Sequence, residues 1–282
     1  MSDPAPTLMP GLPEGYVVSF SRLTRLRHEA RRIIEWFEHH TDGNQWIVVL
    51  GLSLTTNETL TTDCNALNGV PYQFQWEGTT GLIKLTPRGE HEIVTSQFTM
   101  VVHDELKSIG LPRKEADNSY LPPSRHIRPI ENAGYPSLVI ETGVSESLGR
   151  LRQDARKWFA DSGGDVRIVI LIHTSENIVS FEQWQLAPST APRPLTKRYI
   201  DTLCARTPNI PPRTGQPTQR QQVYCAHQVN VTRNFVAGMP MVIDGAPMVL
   251  PFIAIQDRPP SPGEWDIVIR PQEFDEIADL LL

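Results

Sequence analysis

The chain has 282 residues, 39% hydrophobic and 21% charged, with 25 prolines. That is long enough to bury a core without metal or disulfide staples and points to an α/β or α+β protein with irregular proline-containing connections. A formal net charge of -6 excludes a surface that is basic throughout, while leaving room for a local basic patch facing a nucleic acid.

Residues 1–18 are acidic and proline-rich and read as a flexible leader, with neither the basic nor the apolar region of a secretory signal. From Ser19, SFSRLTRLRHEARRIIEWFEHH puts Leu23, Leu26, Ala30, Ile33, Ile34 and Phe37 on one stripe with arginines behind it, which predicts an amphipathic helix. WIVVLGLSL predicts a strand, and the Thr/Asn-rich stretch after it a turn region. YQFQWEG and GLIKLTP then alternate like the two strands of a hairpin. A helix is expected from His91 to Gly110, with Ile93, Phe98, Val101, Val102 and Leu106 inward and a stop at Gly110 and Pro112.

Residues 111–134 form a polar connection, and SLVIE reads as a short buried strand ending on Glu141. The following helix places Leu148, Leu151, Ala155, Trp158 and Phe159 within one third of its circumference at about 100° per residue. Arg152 and Asp154 flank that stripe, and Arg150 and Lys157 point away. VRIVILIH and IVSFEQW predict two more strands, so strand, helix and strand follow one another as in a mixed or parallel sheet. The Pro/Thr/Arg/Gln-rich residues 185–222 read as a long connection. Residues 223–282 add strands, including GAPMVLPFIAI, and a terminal helix opening near Pro271, expected to pack on the same core as 19–184.

Cys64, Cys204 and Cys225 are odd in number and form no CxxC pair, a pattern of a reducing compartment rather than of a disulfide framework or a zinc site. With no apolar stretch of membrane-spanning length, the expected location is intracellular, cytoplasmic or nuclear.

An ionised carboxylate closing an apolar strand is costly to bury without a cation. A second acid in the preceding polar segment, Asp117 ahead of Glu115, would complete the oxygen set that Mg²⁺ or Mn²⁺ prefers. The plainer reading makes Glu141 a strand-end carboxylate, Asp117 a turn acid, Ser145 and Ser147 helix N-caps, and His91 a surface residue.

The hairpin, the helix with its early His91, Asp117 ahead of a short strand, the run from Pro136 to Glu141, then Ser145, Glu146, Ser147 and the helix bearing Asp154 to Trp158 together resemble the PD-(D/E)xK superfamily. The likeness extends from Tyr72 to Trp184 and is nearest to its small putative-endonuclease branch and to fungal members. It implies a restriction-endonuclease-like core, a mixed sheet flanked by helices. It also implies Asp117 and Glu141 as metal ligands for Mg²⁺ or Mn²⁺, nucleic acid as substrate with DNA ahead of RNA, and leaves a homodimer open. Gly143 stands where the superfamily's lysine falls, and Ser137 follows Pro136 where an Asp is usual. Arg152, on the next helix, is then the cation expected to clamp phosphate. The alternative is a catalytically inactive binding or scaffold protein on the same fold. A serine hydrolase is set aside, since no G-x-S-x-G occurs.

Overall fold

A computed structural model of the protein describes residues 17–37, 44–85, 90–111, 119–125, 134–144, 148–205, 221–236 and 239–281. It is a mixed α/β structure that divides into two compact units, Met1–Glu92 with Gly143–Gln153 and His173–Glu176, and Ile93–Thr142 with Asp154–Ile172 and Asn177–Leu282.

The first unit carries a four-stranded sheet of β1 (Val17–Ser19), β2 (Trp46–Leu50), β3 (Tyr72–Glu77) and β4 (Thr80–Leu85), in the order β1-β2-β4-β3. β1 runs parallel to β2, and β2, β4 and β3 are antiparallel neighbours. Val17 and Val18, grouped with the leader from sequence, therefore belong to the sheet. Side chains alternate across a strand. Ile47, Val49, Ile83 and Leu85 accordingly face one core with Leu26, Ala30 and Ile33 of helix α1 (Leu23–Phe37). Trp46, Val48 and Leu82 form a separate buried cluster, that of the other face.

The Thr/Asn-rich stretch is a helix, α2 (Leu54–Thr62), not a turn region. Ser53 caps it, its Oγ accepting from Thr56 N at 3.2 Å. Thr59, Thr61 and Thr62 donate their hydroxyls to carbonyls four residues back, at 2.9, 2.7 and 2.8 Å. Threonine is a weak helix former; the cap, the back-bonds and the burial of Leu60 outweigh that preference.

In the second unit a six-stranded sheet has the order β10-β9-β8-β7-β6-β5, with β5 (Ser119–Tyr120), β6 (Leu138–Val144), β7 (Ile168–Ser175), β8 (Ile178–Leu186), β9 (Val223–Thr232) and β10 (Val242–Asp244). β5 is antiparallel to β6, and β8 to β9. Helix α3 (Glu90–Ser108) buries Val94, Phe98, Val102 and Leu106 against Leu138, Ile140, Ile168, Ile170, Ile172, Val179 and Phe181. Ile93, expected inward, is exposed and Val94 takes its place. Met248, Leu250, Phe252, Ile267, Ile269, Phe274 and Ile277 of the C-terminal segment lie in this same core. Phe181 stacks on Phe98 at 5.7 Å and meets Phe274 edge-on at 4.9 Å.

GAPMVLPFIAI is a strand only in β11 (Met248–Leu250), which pairs with β12 (Ile267–Ile269). Pro251 has no N–H for a ladder. The chain turns there into a short helix, α6 (Phe252–Gln256), whose Phe252 N donates to Asp266 Oδ1 at 2.8 Å. The expected long connection is also partly regular. Gln185 and Leu186 end β8, and helix α5 (Lys197–Cys204) opens on Thr196, whose Oγ1 accepts from Tyr199 N. The terminal helix α7 (Pro271–Ala278) starts on Pro271 as expected. Among the described residues no helix is long and apolar enough to cross a membrane.

Candidate functional site

β6 does not stop at Glu141. It continues to Val144, so the carboxylate is borne in mid-strand. Leu138 and Ile140 point into the α3 core, and alternation turns Val139 and Glu141 to the opposite face. On β8 the same rule sends Val179 and Phe181 into that core and Ser180, Glu182 and Trp184 to the opposite face. Two glutamates on β6 and β8, with β7 between them, thus share one side of the sheet.

Helix α4 (Leu148–Asp161) supplies side chains to these groups. Trp158 donates its indole N–H to Glu141 Oε1 at 3.1 Å. Tyr135, just before β6, braces that indole edge-on at 6.5 Å. Arg156 lies over the Trp184 ring at 5.6 Å, and Trp184 donates to Glu182 Oε2 at 2.8 Å. Beside Glu141, Thr142 shares a 2.5 Å hydroxyl hydrogen bond with Thr95 of α3. Glu141 is half-buried, whereas Glu182 is buried.

Of the residues expected at a metal site, Asp117 and Glu115 lie outside the described residues, as do Ser145 and Ser147 and the side chain of His91. Glu141 is oriented by Trp158, and Arg152 is half-buried on α4. Leu151, Ala155 and Phe159 are buried as the wheel requires; Arg150, expected to point outward, is 2% exposed. Trp158, expected as a core anchor, is half-buried and reaches the carboxylate. Glu182 and the Trp184 that binds it were not singled out from sequence, because IVSFEQW reads simply as an alternating strand. Their only signal was a charged residue on a strand otherwise buried on both sides.

A carboxylate held by a neutral N–H donor is a hard oxygen ligand, the type that Mg²⁺ and Mn²⁺ take one or two of while keeping water. Glu141 fits that role. Among the described residues no group of three or more His, Cys, Asp or Glu side chains is placed to hold a metal, so the second ligand of the expected pair would be Asp117. Gly143, at the position expected to carry a lysine, is buried backbone in β6. No family model, curated protein or solved structure matches the chain.

Proposed function

We propose that this protein is a nuclease-like protein of the restriction-endonuclease type, hydrolysing phosphodiester bonds of DNA in preference to RNA, within the cell and with Mg²⁺ or Mn²⁺. The observation that carries the reading is Glu141, a half-buried carboxylate oriented by the Trp158 indole on a strand paired with β5 and followed by α4 and β7. Asp117 and Glu141 would hold the metal, which when bound supplies a water of lowered pKa and neutralises phosphate charge. Trp158 keeps the Glu141 carboxylate in one orientation, a partner of the ligand whose loss typically costs 10- to 100-fold in metal affinity. Arg152 offers two parallel N–H donors to a phosphate and, always charged, moves no proton.

Buried Gly143 favours a second reading, in which the fold binds a partner without cleaving it, because no side chain stands there to orient the attacking water. Thermal melts separate the two. Under the nuclease reading Mn²⁺ at 100 times its Kd stabilises the natural protein by about 2.7 kcal/mol. Trp158→Phe weakens that response and Glu141→Ala abolishes it. A natural protein whose melting temperature ignores both Mn²⁺ and Mg²⁺ contradicts it.

A further inference from the structure

The first unit's sheet holds a cluster that the nuclease reading leaves unused. β2 and β4 pair with Trp46 directly opposite Lys84, so both side chains leave the sheet on the same face as Val48 and Leu82. Lys84 Nζ is 5.5 Å from the centroid of the Trp46 ring, and the guanidinium carbon of Arg150 is 5.1 Å from it. All three are deeply buried, Trp46 at 3% exposure, Lys84 at 5% and Arg150 at 2%. The Trp46 Nε1–H, itself shielded from solvent, has no acceptor among the described residues.

A buried indole N–H almost always finds an acceptor, since leaving it without one forfeits its hydration with no return. Two cations gathered on one indole account for the packing of its ring faces but leave the N–H at its edge unexplained. The acceptor that would complete the cluster lies among positive charges in a medium of low dielectric, where an anion is favoured over a neutral oxygen. An arginine fork, an ammonium and an indole N–H together suit an acceptor with several oxygens.

We propose that Trp46, Lys84 and Arg150 form a binding site for a small oxyanion of the phosphate type, either free phosphate or the terminal phosphate of a nucleic acid. Arg150 supplies paired donors, Lys84 a point charge, and Trp46 the directional N–H that fixes the anion's position. The site uses neither Glu141 nor a metal, so it stands or falls apart from the nuclease reading.

The test is a thermal melt and titration calorimetry of the full chain with sodium phosphate, against sodium chloride at equal ionic strength. Trp46→Phe keeps a ring beneath the cations and removes only the N–H; Arg150→Lys keeps the charge and removes the fork. Phosphate is expected to raise the melting temperature of the natural protein and of Glu141→Ala alike, while Trp46→Phe and Arg150→Lys each bind it about tenfold more weakly, as the loss of one charge-assisted hydrogen bond requires. A short oligonucleotide with and without a 5′-phosphate separates the sources: stabilisation by the phosphorylated strand beyond that from free phosphate assigns a nucleic-acid terminus, and stabilisation by phosphate alone assigns the free anion. Phosphate that acts no differently from chloride, or variants that respond as the natural protein does, would overturn the site.

Discussion

Arg125 is among the most fully used side chains of the second unit. Its Nε and Nη2 donate to Asp257 Oδ2 and Oδ1 at 2.6 and 2.8 Å, and its Nη1 donates to the carbonyls of Tyr135 and Asp165, each at 2.7 Å. The side chains are 2% and 10% exposed. Removing one partner of such a pair leaves the other charge buried without its counterion, so Arg125→Ala is expected to cost about 3–5 kcal/mol, read from urea unfolding. Arg125→Lys restores only part of this, because an ammonium cannot span both oxygens. The Arg258–Glu264 pair sets a pH dependence instead. Hydrogen bonding from Arg258, and then from the Ser261 N–H, holds the Glu264 carboxyl at about 2, below its ordinary 4.5. The folded state keeps this carboxylate ionised where the unfolded chain protonates it. The pair's contribution is therefore complete above the ordinary carboxylate range and lost as pH falls towards about 2. Glu264→Gln should lower the urea midpoint at neutral pH and match the natural protein near the acid end; a constant difference across the range would contradict the assignment.

At the level of elements, the turn between β10 and β11 depends on Gly245. Its φ is +90°, and a Cβ there would run into the carbonyl oxygen of Gln228 on β9. Gly245→Ala is expected to destabilise by about 1–3 kcal/mol from backbone strain alone, with more from displacing β9, again read by urea unfolding. The same scale shows what a single sequence discloses. Helices α1, α3, α4 and α7 and the hairpin of β3 and β4 were legible because apolar spacing matched their period. Helix α2 was not, since its threonines act through hydroxyl back-bonds that no propensity counts. Helix α6 was not, because its apolar run fits strand and helix equally and Pro251 decides between them. The burial of Arg150 escaped the helical wheel, which weighs polarity and cannot see that an indole from β2 waits for the guanidinium.

For the molecule as a whole, a net charge of -6 means that any grip on nucleic acid comes from local groups, such as Arg152 and the arginines of α1, rather than from the overall field. Glu141 stood out in the sequence because an acid closing an apolar run is costly; its orientation by Trp158, two turns into α4, was hidden because the contact depends on how helix and strand pack. The measurement that bears most directly on the function is a nicking assay on supercoiled plasmid and on labelled single-stranded DNA and RNA, with Mg²⁺, Mn²⁺ or EDTA, comparing the natural protein with Glu141→Ala. The nuclease reading requires cleavage that depends on the metal and falls to background in the variant. Cleavage that persists in Glu141→Ala, or no cleavage of any substrate with either metal, would contradict it.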